Sequence, residues 1–375
     1  MTRKSDGSTT TGNMKRRTFV KAGAGAAAAV AATSSIPSKV FGQTMKEVTF
    51  TQSWIPNGGS MWIYVAMEKG MFEKRGIDIK VSRGFGSVAS AQAVGQGKFD
   101  FGISAAPAAY LQVVKGMKLA HLACASYSSL MGVGFLRESG IKTPKDLEGK
   151  KMGSVVKSGE FPFLPAFAQR TGFDWNKVEV VQVDNKIRTG VLLSKQVDCI
   201  SCFASSVAPD VATKGYDVGW FLYKNYDMPF YGYMIITQPE MYAKDKGLCE
   251  AMVDANMEGI MYTMLNPEEA QEIFFKYVPE AGLTPTKKKA LNLETGLFAH
   301  VNNTREVANH GMGSIEMGQY EKMTDLIMKY VAKGDKKPDM EPLLHLDYVN
   351  DKFKFTDAEL AKITEYAKDY AKVVS

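Results

Sequence analysis

The fold of this chain is decided by residues 77–104, which read IDIKVSRGFGSVASAQAVGQGKFDFGIS. An apolar run of strand length, Ile77–Val81, leads through a glycine-rich turn into a helical pattern that ends near Gln96. A second apolar run, Phe99–Ser104, follows. Strands that alternate with helices in this way are typical of α/β layers built on parallel strands.

The same alternation extends in both directions along the chain. Upstream, the pattern predicts a strand at Val48–Phe50 and a helix that runs from Ser60, as N-cap, to about Lys74. A polar segment, 141–153, then leads into a second α/β unit, and beyond Gln238 the pattern becomes mostly helical. In the second unit we expect strands at Met152–Val156, Val178–Val183 and Val197–Phe203, with helices at Phe163–Thr171 and Lys186–Lys195.

The N-terminal segment has the pattern of an export signal. Two arginines, a hydrophobic residue and a closing lysine occur in Lys15-Arg16-Arg17-Thr18-Phe19-Val20-Lys21, and the weakly apolar run Ala22–Ala32 follows. This order is typical of a twin-arginine signal peptide. Val40-Phe41-Gly42 predicts cleavage near Gly42. We therefore expect residues 1–43 to be removed after the twin-arginine (Tat) translocase has exported the protein to the periplasm.

The charge of the chain argues against a nucleic-acid partner. The formal net charge of the whole chain is +6. Residues 1–43 contain seven of the 46 basic residues and one of the 40 acidic residues, so 39 of each remain. A chain without excess positive charge lacks the field that attracts nucleic acid or anionic membranes. The remaining length, about 330 residues, is enough for two domains.

The glycine-rich turn leaves three interpretations open. Gly84-Phe85-Gly86-Ser87-Val88-Ala89 matches the dinucleotide-binding pattern GxGxxA after a strand. That pattern needs an acidic residue at the end of the next strand, and Asp100 comes before its strand. The turn could instead offer free backbone N–H groups to another small ligand, or it could be a tight turn only.

The cysteines also leave alternatives open. Cys199 and Cys202 form a CxxC within an apolar run that predicts a strand, whereas a thioredoxin-like site needs a helix N-terminus. Two thiols cannot complete a tetrahedral zinc site. The sequence therefore favours ordinary buried thiols over a disulfide and over redox or metal chemistry, and we expect no metal site.

Several motifs together resemble one known family. They are Trp54-Ile55-Pro56-Asn57, Val65-Ala66-Met67-Glu68-Lys69-Gly70-Met71-Phe72, Gly76-Ile77-Asp78-Ile79, Gly97-Lys98-Phe99-Asp100-Phe101-Gly102 and the stretch Lys145–Gly153. The family groups periplasmic binding proteins for sulfonates, nitrate, taurine and thiamine-pyrimidine precursors with the pyrimidine synthases of fungal thiamine synthesis. The resemblance covers roughly residues 46–340.

The resemblance implies a type II periplasmic binding protein fold, in which two α/β lobes enclose a ligand cleft and are joined by a hinge. The chain would cross between lobes near Tyr127–Leu136 and Met228–Thr237. Lobe 1 would then comprise residues 44–130 plus 236–375, and lobe 2 residues 131–235. The implied function is that of an extracytoplasmic solute-binding protein, which delivers a small organic solute to the permease of an ABC importer.

The synthase branch of the family is the alternative. The resemblance implies that those enzymes hold pyridoxal phosphate on a lysine, use a histidine four residues later and bind iron through a cysteine-rich run. The matching positions here are Ser104 and Ala108, and the stretch Met228–Tyr233 contains no cysteine. Serine cannot form the Schiff base and alanine has no imidazole. We therefore expect no enzyme activity, no catalytic residue and no cofactor.

Candidate ligand-binding residues follow from the strand order. Ligands of open α/β sheets bind at the carboxyl ends of parallel strands, so the loops after the strands supply the candidates. Aromatic stacking, hydrogen bonding and pairing with a ligand amine are the expected roles, and core packing, turn formation and helix capping are the alternatives. The candidates are Trp54, Asn57, Ser87, Ser104, Ser158, Glu160 and Tyr231.

The expected cleft lining favours a compact, partly aromatic organic solute, such as a pyrimidine or another vitamin precursor. Lys157 and Arg188 are the nearby cations, so the sequence does not predict the dense cluster that clamps a phosphate or a sulfonate. Nitrate and alkyl sulfonates are the less favoured ligands, although helix N-termini alone can bind a small anion. The aromatic candidates for this lining are Trp54, Phe85, Phe161, Phe203 and Tyr231.

Replacing Arg16 and Arg17 together by lysine should strand most of the protein in the cytoplasm, because the twin-arginine pathway reads the arginine pair rather than its charge. Immunoblots of periplasmic and cytoplasmic fractions measure the effect. Arg3→Lys, outside the motif, is the matched control and should be exported normally. Normal export of the double variant would contradict the assignment.

Overall fold

The computed structural model describes residues 45–349 and 351–375. The predicted signal peptide, residues 1–43, and its cleavage point near Gly42 lie outside the described residues. Within those ranges, ten strands form two five-stranded sheets. The strands are β1 (Lys46–Thr51), β2 (Ile77–Ser82), β3 (Phe101–Ala105), β4 (Ala120–Cys124), β5 (Met131–Leu136), β6 (Lys151–Ser154), β7 (Glu179–Gln182), β8 (Cys199–Phe203), β9 (Val218–Leu222) and β10 (Tyr233–Thr237).

The two sheets have the same pattern of strand directions. The first has the order β2-β1-β3-β10-β4, and the second has the order β7-β6-β8-β5-β9. In the first sheet, β1 is parallel to β2 and β3, while β10 is antiparallel to both of its neighbours. In the second, β6 is parallel to β7 and β8, and β5 is the antiparallel strand. The antiparallel strand of each sheet is the first strand that the chain enters on arriving from the other sheet.

The helices largely follow the predicted alternation. No helix in the described ranges is long and apolar enough to cross a membrane. Their bounds are α1 (Trp62–Glu68), α2 (Ser87–Gly95), α3 (Ala106–Val114), α4 (Leu164–Thr171), α5 (Arg188–Leu193), α6 (Ala208–Thr213), α7 (Pro239–Lys244), α8 (Lys246–Leu265), α9 (Pro267–Tyr277), α10 (Pro285–Asn302), α11 (Arg305–His310), α12 (Met317–Tyr330) and α13 (Asp357–Ala367).

The first predicted helix was placed wrongly at both ends. Helix α1 begins at Trp62 after Met61, and the Ser60 hydroxyl donates to the side-chain oxygen of Gln52 at 3.0 Å instead of capping the helix. The helix ends at Glu68, since Gly70 adopts a positive φ of 66° and turns the chain. The apolar pattern beyond this point therefore belongs to a loop and a short 3₁₀ turn rather than to the same helix.

Burial differs between strands, and the edge strand β4 is as fully buried as the central ones. Every residue of β3 and β8 is buried, as expected for central strands with continuous apolar runs, whereas the edge strand β7 is largely exposed. Cys199 and Cys202 both lie in β8 as free, buried thiols. Burial raises the pKa of Cys202 to about 12. A thiol with this pKa stays protonated at neutral pH and is unreactive, so the structure favours the interpretation as ordinary buried thiols.

The chain passes between the two sheets twice. It leaves the first sheet after Cys124 and enters the second at Met131, and it returns between Leu222 and Tyr233. The predicted second crossing, Met228–Thr237, overlaps this return, while the predicted boundary at 235/236 falls inside β10, which pairs within the first sheet. The rest of the lobe division, 44–130 plus 236–375 against 131–235, stays a prediction.

Helix α8 packs directly against α1, and Gly259 makes this close contact possible. A Cβ at this position would stand 2.6 Å from the carbonyl oxygen of Trp62 and 2.9 Å from the Cβ of Ala66. Gly259→Ala should therefore lower the free energy of unfolding by roughly 1–3 kcal/mol, because the helices must separate. Urea denaturation followed by circular dichroism measures the change.

Gly318→Ala in α12 is the matched control, because a Cβ there would meet nothing within 4 Å. This control should be neutral or should stabilise the protein by about 0.5–1 kcal/mol through its higher helix propensity. Equal effects of the two substitutions would contradict the packing argument.

Candidate functional site

The loops that follow the parallel strands converge between the two sheets and surround two adjoining chambers. The smaller, here called the arginine chamber, leaves about 10 Å³ for the centre of a water-sized molecule, which is room for about one water. Its lining comes from loops after β1, β2, β6, β7 and β8 and from β10, so both sheets contribute. The lining residues are Ser53, Trp54, Ser87, Ser158, Arg188, Phe203, Ser206 and Tyr233.

The larger chamber, here called the glutamate chamber, leaves about 30 Å³ for the centre of a water-sized molecule. It shares Phe203, Ser206 and Tyr233 with the arginine chamber, so the two chambers adjoin along a common wall and are together called the cleft here. Hydroxyl groups dominate its polar lining. The full lining is Asn57, Gly59, Ser126, Ser128, Ser129, Phe203, Ser205, Ser206, Gly232, Tyr233, Glu294, Phe298 and Val301.

Four of the seven predicted site residues lie in this cleft. Trp54, Ser87 and Ser158 line the arginine chamber, and Asn57 lines the glutamate chamber. The Asn57 side chain also has the turn role that the sequence left open, since its Oδ1 accepts a hydrogen bond from the Gly59 N–H at 2.8 Å. The fold therefore brings these four side chains together from three loops that follow strands, as the position of ligand sites at strand ends predicted.

The other three predicted residues line neither chamber. The Ser104 hydroxyl is buried and donates to the carbonyl oxygen of Ser87 at 2.9 Å. The Tyr231 hydroxyl is buried and donates to the Glu306 carboxylate at 2.7 Å, and burial raises the pKa of Tyr231. These two side chains stabilise the walls rather than facing a ligand.

Glu160 is the clearest correction, because its carboxylate points into the protein and not toward a ligand amine. It is fully buried and accepts hydrogen bonds from the hydroxyls of Ser158 and Ser201, the latter at 3.1 Å. It also forms an ion pair with Arg188, in which Nη1 lies 3.8 Å from Oε1. Glu160 thus positions one serine and the arginine of the arginine chamber.

Arg188 is the central polar side chain of the cleft. The sequence indicated it, with Lys157, as a nearby cation but did not predict it as a site residue. Its side chain is only 3% exposed, and its guanidinium carbon lies 4.8 Å from the centroid of the Trp54 ring. Nη2 donates to the Ser206 hydroxyl at 3.1 Å. In the described part of the chain, no acceptor lies within hydrogen-bonding distance of Nε or Nη1. Nothing in the local sequence distinguishes Arg188 from Lys186, because only the fold directs one of them inward.

Contacts between the two sheets hold this cleft closed. Trp54 and Arg188 come from different sheets, and so do the stacked rings of Phe203 and Tyr233, whose centroids are 5.6 Å apart. At the edge of the cleft, Nη2 of Arg83 donates to Oδ1 of Asn185 at 3.2 Å. Several residues that line the cleft, Trp54 and Arg188 among them, are therefore also residues that join the two halves.

The glycine-rich turn at residues 84–89 allows the backbones of the two α/β units to come into close contact. Gly86 has a φ of 125°, and a Cβ on it would stand 2.1 Å from the carbonyl oxygen of Lys157 in the second α/β unit. The Gly86 N–H donates to Ser53 and the Val88 N–H to Lys157, so both backbone donors have protein acceptors. The structure shows a tight turn that permits close backbone contact, and Ser87 of the same turn lines the arginine chamber, so the turn also faces the candidate ligand site.

Glu294 is the carboxyl group in the larger chamber. Its Oε2 accepts a hydrogen bond from the Gly58 N–H at 2.7 Å. Burial nevertheless raises the pKa of Glu294 to about 8, so the group is mostly protonated at neutral pH. In the described ranges, no group of three or more His, Cys, Asp or Glu side chains is placed to hold a metal ion.

The raised pKa of Glu294 predicts a pH dependence of stability. Because the pKa of Glu294 is higher in the folded protein than its ordinary value of 4.5, the protonated carboxyl stabilises the fold. This contribution is complete below pH 4.5 and is lost as the pH rises through about 8. From pH 5 to pH 9 the wild type should lose stability, on the order of 1–3 kcal/mol, that Glu294→Gln retains. Urea denaturation at several pH values measures the difference.

Glu321→Gln, at an exposed position on α12, is the matched control and should follow the wild type. Parallel pH profiles for the wild type and Glu294→Gln would show that Glu294 is ionised across this range.

The chain is similar to several known proteins. A formylaminopyrimidine-binding protein of Halalkalibacterium halodurans is 23% identical over 240 residues, which are 64% of this chain and 73% of that protein. A Haemophilus influenzae protein named for thiamine biosynthesis is 26% identical over 246 residues, covering 65% of this chain and 78% of that protein. A shorter match, 30% identical over 115 residues, covers 30% of this chain and 34% of a 4-amino-5-hydroxymethyl-2-methylpyrimidine phosphate synthase of Saccharomyces cerevisiae.

Solved structures and a family model extend the comparison. The alkanesulfonate-binding protein of Xanthomonas axonopodis pv. citri, bound to MOPS, superimposes with a TM-score of 0.60 at 10% identity, covering 80% of this chain and 97% of that one. This likeness confirms the predicted type II periplasmic binding protein fold with two α/β lobes. The family model described as NMT1/THI5 like matches residues 57–270, more than half of the chain. The protein is therefore a member of the NMT1/THI5-like family, as its motifs predicted.

Proposed function

We propose that this protein is an extracytoplasmic solute-binding protein of an ABC importer. The observation that carries the proposal is the cleft itself, whose lining comes from both sheets and contains the buried guanidinium of Arg188 with unpartnered donors. Buried polar groups normally have hydrogen-bond partners, and a donor without one in a cleft points to a ligand. A ligand that supplies the missing acceptor would join the two lobes.

The two connections between the sheets suit a protein that opens and closes. A fold with two crossings can hinge around a ligand, and a permease can recognise the closed form. Here the closing contacts, Trp54 on Arg188 and Phe203 on Tyr233, lie in the ligand chambers. Binding of a solute and closure of the lobes would therefore stabilise each other.

The relatives support a binding role and a periplasmic location. Two of the matched proteins are named for binding formylaminopyrimidine and alkanesulfonate. Because those ligands differ, neither is transferred to this chain. The arginine pair at Arg16-Arg17 supports export by the twin-arginine translocase, followed by cleavage near Gly42 and delivery of solute to a permease in the cytoplasmic membrane.

The alternative, a pyrimidine synthase that uses pyridoxal phosphate, histidine and iron, has weaker support. Ser104 and Ala108 occupy the positions that the resemblance assigns to the lysine and histidine of those enzymes. Both side chains are buried and line neither chamber. The match to the yeast synthase also covers only 34% of that enzyme. These observations favour a binding protein over an enzyme.

The lining supports a compact, partly aromatic organic solute. Trp54, Phe203, Tyr233 and Phe298 supply aromatic walls, and serine hydroxyls supply most of the polar groups. The predicted lining residues Phe85, Phe161 and Tyr231 lie outside both chambers. Phe85 is 61% exposed, with the guanidinium of Arg83 over its ring.

The proposal is tested with the solute that copurifies with the protein from its native periplasm, identified by native mass spectrometry. Small-angle scattering should show a smaller radius of gyration when this solute is added back to stripped protein, because the lobes close. An unchanged radius under saturation would contradict the binding-protein proposal.

Trp54→Ala should weaken binding of the same solute by roughly tenfold or more, because it removes both an aromatic wall and the support of Arg188. Asn57→Ala should weaken it by a smaller factor. Asn176→Ala, at an exposed position away from the cleft, is the control and should bind like the wild type. Titration calorimetry measures all three. If both cleft variants bind like the wild type, the ligand lies elsewhere.

A further inference from the structure

The state of Arg188 identifies what the arginine chamber lacks. Its guanidinium is buried, stacks on Trp54 and uses one nitrogen on Ser206. Nε and Nη1 have no acceptor among the described residues. Leaving charged donors unsatisfied in a buried site is costly, so a ligand acceptor here would gain more than a neutral hydrogen bond provides.

The neighbouring carboxylate does not fill this role. Glu160 lies 3.8 Å from Nη1, beyond hydrogen-bonding distance. Its oxygens already accept from Ser158 and Ser201. Glu160 therefore holds the arginine in place and offsets part of its charge, while two of the guanidinium nitrogens remain available to a ligand.

The composition of the chamber selects the type of acceptor. Arg188 is the one cation of this lining, and the remaining polar groups are the hydroxyls of Ser53, Ser87, Ser158 and Ser206 and of Tyr233. A phosphate or sulfonate group usually requires more than one cation or a set of converging backbone N–H groups. A carboxylate carries a single charge on a planar group, which matches one planar guanidinium with supporting hydroxyls. An uncharged carbonyl could accept from the same nitrogens, but it would leave the charge of Arg188 to be balanced by Glu160 at 3.8 Å.

We infer that the solute carries a carboxylate that binds Arg188 in the arginine chamber, while its partly apolar body extends past Phe203 and Tyr233 into the glutamate chamber. The inference rests on the proposed binding function and adds the chemical class of the solute. Such a solute differs from a neutral pyrimidine and from an alkyl sulfonate in the head group that Arg188 binds.

The head group can be tested without knowing the rest of the solute. Acetate, methanesulfonate and acetamide share one methyl group and differ in the head group alone. Thermal unfolding is measured during titration with each probe at constant ionic strength, made up with sodium chloride. The wild type should bind acetate roughly tenfold or more tightly than acetamide, and also more tightly than methanesulfonate.

Two variants separate ligand binding from support of the fold. Glu160→Gln removes the competing negative charge, so acetate should bind as tightly as in the wild type or several-fold more tightly. Arg188→Met combined with Glu160→Gln leaves no uncompensated buried charge, which protects folding, and it should abolish the preference for acetate. Circular dichroism of both variants confirms that they are folded.

The outcomes are separable from those for the proposed function. The carboxylate inference is overturned if acetate does not stabilise the wild type, or if acetamide binds as tightly as acetate. It is also overturned if methanesulfonate binds more tightly than acetate, or if the double variant still prefers acetate. If the copurified solute still compacts the protein in those cases, the binding-protein proposal stands. If scattering shows no compaction with any solute, the proposed function fails independently of the acetate result.

Discussion

The burial of one guanidinium group between two sheets is the interaction on which the cleft depends. Arg188 follows a strand of the second sheet and stacks on Trp54, which follows a strand of the first. The ion pair with Glu160 holds the Arg188 side chain in place. A buried cation needs compensation, and a single carboxylate outside hydrogen-bonding distance supplies only part of it. The remainder of the site, with its serine hydroxyls and aromatic walls, surrounds this partly satisfied charge.

The fold provides the conditions for such a site. In both sheets the parallel strands direct their carboxyl ends toward the space between the sheets, so polar loop residues collect there while the strands themselves stay buried. Gly86 allows the backbones of the two halves to approach closely at the edge of the same space. The contacts that close the molecule and the groups that face a ligand are therefore largely the same, which couples closure to binding.

Much of this architecture was predictable because strand and helix formation depends on local patterns. The apolar runs of β2, β3 and β8 and the helical pattern of α2 were assigned correctly to within a few residues. The helix start predicted at Ser60 was wrong because Ser60, a good capping residue, donates a hydrogen bond to the side chain of Gln52 instead. The rule for strand ends placed Trp54, Asn57, Ser87 and Ser158 in the cleft, but it did not tell which loop residues point inward.

The sequence by itself determined the α/β alternation, the family, the lack of net charge from residue 44 onward and the loops that supply the site. Only the tertiary structure decided that Glu160 is buried as a support and that Arg188 faces the chamber. It also decided that Tyr231 bonds to Glu306 and that Glu294, far along the chain, completes the cleft. The physical reason is that periodicity is encoded between near neighbours, whereas the direction and charge balance of a buried polar side chain depend on groups brought together from distant parts of the chain.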